Sequence, residues 1–340
     1  IQKNSTFLSF LVNQITKHEL YPGSPFARTA IAIRLLRDVQ RTATHFRFPE
    51  SVINTLMFQL FSRFNDNRLD AFRFVVKEIE RGRTISATIW NPRAMHAIKS
   101  TRLYESEGGA LALRVLVRMS RDTAEPRKIV NKIRKLLKDN ERSKLPGHLL
   151  ALRAVLTELK PELLLFNSNN TELADETLEI ATLALKCSLE EVTSENSSII
   201  AKSSEMSLDK EQRNVVAAWL TTKESSNLLA DVIVTFDRME RANDILGLLI
   251  ETLLNSCHQG AVAKASEALE NVSVYLLKKK NQLPSKWLDR LFEYLYSKDT
   301  NPKLRRSAGF AAATKALAKS SSKLSSQCFE RLIQTLLDSK

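Results

Sequence analysis

Apolar residues recur at helical spacing from one end of this 340-residue chain to the other, and no other feature constrains the fold as strongly. Fifteen such segments recur, most of them 12 to 20 residues long, and short polar links such as YPGS (21–24) and NDNR (65–68) join them. Only 8 glycines and 9 prolines are present, too few for a fold rich in turns. Alternating apolar and polar stretches, which are typical of strands, are almost absent. We therefore predict an all-α protein.

The helix lengths and links also predict an architecture. Helices joined by short links pair as antiparallel hairpins, and a new pair begins about every 35–45 residues, as in HEAT and armadillo arrays. We predict a HEAT/armadillo-like α-solenoid of stacked antiparallel helix hairpins, with a compact helical domain as the alternative. Residues 189–207 are rich in Ser and Glu and lack an apolar stripe. We predict a mobile loop there, or a short helix that docks on a partner.

The net charge of +13 is unevenly distributed. Residues 1–160 carry 29 Lys and Arg against 14 Asp and Glu, residues 161–270 carry 8 against 19, and residues 271–340 carry 14 against 5. We divide the chain into a basic helical-repeat segment (1–160), an acidic segment (161–214) and a further helical-repeat segment (215–340). Such asymmetry bears on binding partners rather than on the fold.

The chain shows no arrangement of residues that indicates catalysis. Its five histidines are scattered, and the adjacent Cys257 and His258 would diverge on a helix, so His258 is predicted to be a surface or capping residue. The Gly-Gly pair in ESEGGALAL (105–113) lacks the spacing of a phosphate-binding loop and fits a helix start better. We expect a non-enzyme with no metal, cofactor or small-molecule substrate. The three widely spaced cysteines suggest a reducing compartment, and no apolar run is long enough to span a membrane.

Two predicted helices carry basic faces opposite their apolar residues, which in the first helix are Ile31, Leu35, Leu36 and Val39. In the first, 26–48, arginines recur at spacings of three and four residues, and two more lie near its ends. In the second, 127–139, lysines recur at spacings of three and four residues, and two arginines lie beside them. Each face is a candidate for contacts with RNA phosphates, and the alternative is a solvated face that only adds solubility. The candidate residues are Arg28, Arg34, Arg37, Arg41, Arg47, Arg127, Lys128, Lys132, Arg134, Lys135 and Lys138.

A third basic feature begins the segment NPKLRRSAGF (301–310). Asn301 and Pro302 predict the start of a helix, which places Arg305 and Arg306 at its positive end, where cations are unfavourable without a partner. The arginines could bind acids on a neighbouring helix, such as Glu224, or an RNA phosphate, or a partner protein.

Four stretches in the C-terminal third resemble the characteristic domain of the THADA family. They are WLTTKESSNLLADVI (219–233), HQGAVAKASEAL (258–269), LPSKWLDRLFEYL (283–295) and KLRRSAGF (303–310). LYPGSPFARTAIAIRLL (20–36) also resembles a family segment. The matched motif positions are Trp219, Lys223, Glu224, Gly260, Pro284, Trp287, Arg305, Arg306, Ser307 and Gly309. We predict that Trp219 and Trp287 lie in the core rather than on a surface where bases could stack, because the interior of a solenoid accommodates large aromatic side chains. The chain departs from the family pattern after Gly309, where Phe310-Ala311 replaces an apolar residue and proline, so the helix can continue without a kink.

The resemblance implies a function that the residues alone do not. Members of the family are large helical-repeat proteins, and the fungal ones assist an FtsJ-type tRNA 2′-O-methyltransferase. It thus implies a cytoplasmic, non-catalytic subunit that binds tRNA and the methyltransferase and supports ribose methylation in the anticodon loop. The alternative is a protein-interaction scaffold without RNA binding. Its partner could be a membrane calcium pump, since animal members have been linked to one.

Overall fold

The structure is a computed structural model that describes residues 2–21, 23–121, 124–159, 169–195, 205–256, 258–296 and 308–338. Within these ranges the regular secondary structure is helical and contains no strand, which confirms the predicted all-α class. The fifteen helices of these ranges are α1 (Gln2–Glu19), α2 (Phe26–Thr42), α3 (Glu50–Gln59), α4 (Asn65–Glu80), α5 (Ala87–Ala97), α6 (Leu103–Ser120), α7 (Ala124–Lys138), α8 (Leu145–Glu158), α9 (Asn169–Glu195), α10 (Glu205–Phe236), α11 (Ala242–Asn255), α12 (Gln259–Lys278), α13 (Leu283–Tyr296), α14 (Ala308–Lys319) and α15 (Ser322–Asp338).

The chain forms two compact units, of which the first comprises residues 1–129 and 150–159. In this unit α1 packs on α2, α3 on α4 and α5 on α6, and the even-numbered helices α2, α4 and α6 also pack on one another in sequence. This succession of hairpins is that of a helical-repeat array. Its core contains fully buried apolar side chains such as Leu36, Leu56, Phe74, Trp90 and Leu113.

Two glycines bring α6 very close to its neighbours. A Cβ added at Gly108 would lie 2.5 Å from the carbonyl oxygen of Leu60, next to the end of α3, and one added at Gly109 would lie 2.8 Å from that of Ala94 on α5. The Gly-Gly pair therefore serves helix packing. As predicted, Glu105 lies in the first turn of a helix there, near its positive end.

The second unit comprises residues 130–149 and 160–340 and repeats the packing order of the first. Helix α9 packs on α10, α11 on α12 and α13 on α14, and α10, α12 and α14 pack on one another in sequence. Gly309 allows the start of α14 to meet the backbone of α11, because a Cβ there would lie 1.7 Å from the carbonyl oxygen of Leu253. Helix α14 continues through Phe310 and Ala311 without interruption, as expected from the missing proline.

Two predictions at this level need correction. Helix α9 extends to Glu195 and α10 begins at Glu205, so 189–195 and 205–207 are helical and the predicted loop is too long; residues 196–204 lie outside the described part. The glutamates of this segment favour a helix, although its Ser-rich composition predicted a loop. Ile31 and Leu35, assigned to the apolar face of α2, are exposed, because α2 turns Ile33 and Leu36 inward.

Candidate nucleic-acid interface

A groove between α2 and α4 is lined by six cationic side chains. Helix α2 contributes Arg34, Arg37 and Arg41, three predicted candidates for phosphate contacts, and the facing side contributes Arg73, Lys77 and Arg81. The groove is open to solvent, has a volume of about 520 Å³, and contains Asp38 as its one acidic lining residue. The predicted arginines of α2 therefore do form one surface.

Acids beneath the groove hold several of these cations in place. Asp70 is mostly buried and lies 2.5 Å from Arg37, 3.2 Å from Arg73 and 3.9 Å from Arg34. One carboxylate thus serves three guanidinium groups, and these retain positive charge beyond what Asp70 neutralises.

The ion pairs continue from α4 across α6 to α8. Glu80 accepts hydrogen bonds from Lys77 at 3.3 Å and from Arg118 at 2.7 Å. Glu158 in turn accepts from Arg118 and, at 3.0 Å, from Arg114. Burial raises the pKa of Glu80, but the hydrogen bonds from Lys77 and Arg118 outweigh burial and lower it. Glu80 therefore stays ionised as a counter-charge between two helices.

We call this surface of α2, α4, α6 and α8 the basic face. Its cations are Arg34, Arg37, Arg41, Arg68, Arg73, Lys77, Arg81, Arg114, Arg118 and Arg153, and its acids are Asp38, Asp70, Glu78, Glu80, Glu107 and Glu158. The cations exceed the acids by four, and the side chains of Arg34, Arg41 and Arg73 are more than half exposed. Guanidinium groups in this state can bind phosphate oxygens in pairs of hydrogen bonds.

Other predicted phosphate contacts lie apart from this groove. Arg28 pairs with Glu19 at 3.6 Å, and Arg47 is exposed in the link between α2 and α3. Lys128 on α7 pairs with Glu125 at 2.7 Å, and Arg127 on the same helix is half-buried.

The remaining α7 candidates belong to the second unit. Arg134 lies 3.7 Å from Glu179, and Lys135 and Lys138 are exposed. A hydrogen bond from Lys144, helped by the charges of Lys132 and Lys135, lowers the pKa of the exposed Glu141. These cations therefore form a basic patch of the second unit.

The sequence prediction missed the cations of α4, although a signal was available. Arg73, Lys77 and Arg81 recur every four residues, the same spacing that identified the arginines of α2. Arg68 was missed for another reason. It is nearly fully buried, donates to the Ser62 carbonyl at 2.8 Å and pairs with Glu107, and its position depends on contacts that one sequence does not show.

Two motif positions, Trp219 and Gly260, meet His258 at the start of α12 in the second unit. The rings of Trp219 and His258 stack with centroids 4.5 Å apart, and the backbone N–H groups of Gly260 and Ala261 donate to His258 Nδ1. A Cβ added at Gly260 would lie 3.1 Å from the His258 ring. His258 is therefore a capping residue, as predicted, and Trp219 lies only partly within the core that was predicted for it.

The other motif positions within the described residues are structural or line a second groove. Glu224 is buried and lies 2.9 Å from Lys223; Arg305, Arg306 and Ser307 lie outside the described residues, so the predicted pairing with Glu224 stays a prediction. Pro284 is buried in the first turn of α13.

Trp287 is only half-buried rather than part of the core. It donates to Asn243 at 3.2 Å and lines a groove of about 630 Å³ between α11 and α13, together with Arg290 and Tyr294. The lining of this groove is mostly apolar and includes the exposed Glu251 and Glu293.

The described residues contain neither a metal-binding cluster nor a membrane-spanning helix. Within those ranges no group of three or more His, Cys, Asp or Glu is placed to hold a metal ion. Nor does any helix in the described part have the length and apolar character needed to cross a membrane.

Hairpins packed in series, with a charged face on the even-numbered helices of the first unit, define a helical-repeat protein. A family model described as THADA/TRM732, DUF2428 matches residues 148–340, more than half of the chain. The chain belongs to this family, which confirms the resemblance of the four C-terminal stretches. The segment 20–36 lies outside the matched range, so its resemblance stays a prediction. Comparisons with curated proteins and with solved structures gave no match.

Proposed function

We propose that this chain is a non-catalytic scaffold subunit that binds tRNA through the basic face and supports 2′-O-ribose methylation of the anticodon loop by an FtsJ-type methyltransferase. Membership in the THADA/TRM732 family supports a role connected with tRNA modification. In this role the methyltransferase supplies the cofactor and the chemistry, and the chain supplies binding surface in the cytoplasm.

The observation that carries the proposal is the excess of cations on the basic face. Six of them line a single groove, and Asp70, Glu80 and Glu158 hold several at fixed positions. Cations fixed in this way lose little conformational entropy on binding, and each phosphate neutralised releases counterions. RNA affinity should therefore fall steeply as salt rises.

The test is tRNA binding by this chain over a salt series, with charge-reversed variants. Arg34/Arg37/Arg41→Glu removes three groove cations, and we expect at least a tenfold loss of affinity and a shallower salt slope. Lys278/Lys315/Lys323→Glu reverses three exposed lysines of the second unit and is the matched control. Equal losses in both variants, or weak wild-type binding without salt dependence, would contradict tRNA binding by the basic face.

The groove beside Trp287 favours protein binding as a second candidate function. Its mostly apolar lining with a few charged residues is typical of a surface that holds an apolar anchor of a partner. If the methyltransferase binds here, Arg290→Glu should weaken its association and leave tRNA affinity unchanged. Titration of the purified methyltransferase against both proteins measures this directly.

A further inference from the structure

A second cavity of the first unit lies between α4, α6 and α8. Its volume is about 380 Å³, within the range of pockets that hold small ligands. The lining divides into two parts. Leu69, Ala110, Leu111, Leu150 and Ala154 form an apolar surface, and Arg68, Arg114 and Arg153 supply charge together with Glu107.

The guanidinium groups of this pocket are held in place before any ligand arrives. Arg68 is fixed by the Ser62 carbonyl and Glu107, and its Nε has no hydrogen-bond partner. Arg114 lies over the Phe72 ring, 4.6 Å from its centroid, and donates to Glu158. Each of the three guanidinium groups in the lining carries five N–H donors, more than one carboxylate can accept, and this favours an anionic ligand.

The two parts of the lining require a ligand that combines an anion with a flat, weakly polar body. A free phosphate would leave the apolar surface uncovered, and an apolar peptide side chain would remove water from the arginines without compensation. A nucleotide has both parts. Unpaired RNA bases leave their stacks readily and rest on apolar or guanidinium surfaces.

The pocket adjoins the groove on the basic face. Helix α4 contributes Arg73 and Lys77 to the groove and Arg68 and Leu69 to the pocket, and Glu158 links Arg114 of the pocket to Arg118. We propose that the pocket receives one unstacked nucleotide of the RNA, with its phosphate at the arginines and its base on the apolar surface. This inference rests on the proposed tRNA binding and adds a specific base contact to it.

The test fills the pocket without changing its charge. Ala154→Phe places a ring in the cavity, and Ala87→Phe makes the same substitution at an exposed position of α5 as the control. We expect Ala154→Phe to weaken tRNA binding about fivefold with an unchanged salt slope, and Ala87→Phe to match the wild type. Inorganic polyphosphate carries charge but no bases, and it should bind wild type and Ala154→Phe equally.

The other outcomes distinguish failure of the nucleotide pocket from failure of the proposed tRNA binding. If Ala154→Phe leaves tRNA affinity unchanged while Arg73/Lys77→Gln lowers both affinity and salt slope, the nucleotide pocket is wrong and the proposed function stands. If polyphosphate binding falls with tRNA binding, filling has disturbed the face and the proposal is overturned. If the wild type does not bind tRNA, both proposals fail. Should Ala154→Phe not fold, Thr157→Trp at the exposed rim replaces it and must meet the same expectations.

Discussion

Replacing Gly309 by alanine should destabilise the second unit, although alanine is the better helix former. The added Cβ would lie 1.7 Å from the Leu253 carbonyl oxygen. An ordinary carbon–oxygen contact is about 3.3 Å, so α14 and α11 must separate by about 1.6 Å. Backbone atoms cannot turn aside as a side chain can, and the shift also loosens the packing of the buried Ala313 and Leu317.

The expected loss in the free energy of unfolding is the difference between two opposing effects. Overpacking of this kind costs about 3 kcal/mol at the upper end of its usual range, and replacing glycine by alanine inside a helix recovers about 1 kcal/mol. The net loss of about 2 kcal/mol corresponds to an unfolding constant about 30-fold larger. Against a total stability of about 5–15 kcal/mol, this loss is easily measured.

Urea unfolding combined with hydrogen exchange of the α11 and α14 amides would measure the effect. We expect a lower midpoint and faster exchange in both helices. Gly247→Ala is the control, because its Cβ would meet only the Trp287 ring, at 3.1 Å. That contact involves a side chain, and the change should stay within about 1 kcal/mol. A Gly309→Ala protein as stable as wild type would refute the steric reasoning.

Three further predictions concern single side chains. Glu80→Gln should raise tRNA affinity and steepen its salt dependence in a binding titration, because it releases Lys77 and Arg118 from their shared acid; unchanged binding would place the RNA away from α4 and α6. A hydrogen bond from Ser100 lowers the pKa of Glu105, so its contribution to stability is present above its ordinary pKa of 4.5 and is lost as pH falls below it. Between pH 6 and pH 3, two values on either side of that ordinary pKa, the free energy of unfolding of Glu105→Gln, measured with urea, should therefore change less than that of the wild type. An identical pH dependence in the two proteins would contradict this. His258→Ala should cost about 1 kcal/mol in thermal unfolding through loss of the α12 cap, and a neutral result would show that the cap is dispensable.

The positions of the helices could be predicted from the sequence because burial of one face imposes a 3.6-residue period. Fifteen predicted helices have counterparts among the fifteen described ones, and the start of the helix predicted at 302 lies outside the described residues. The family could also be recognised, because its motifs are local strings. These two conclusions rest on short-range order along the chain.

The arrangement of the candidate site could not be predicted in the same way. That Arg34 and Arg73 share Asp70 depends on how α2 packs on α4, and a single sequence does not specify which helices meet. The exposure of Ile31 follows from the rotation of α2 about its axis, which the pattern fixes only to within a residue or so. Trp287 borders a groove because Gly247 leaves space beside its ring, a contact across 40 positions of the chain.

The closeness of α6 to its neighbours has a mechanical consequence. Gly108 and Gly109 place the α6 backbone directly against main-chain carbonyl groups, with no side chain between that could change rotamer and absorb movement. The position of the α6 arginines, Arg114 and Arg118, is thereby fixed against α5 and the end of α3 by the rigid main chain. For the tRNA binding proposed above, it follows that the flexible sugar–phosphate chain, rather than this surface, would change shape on binding.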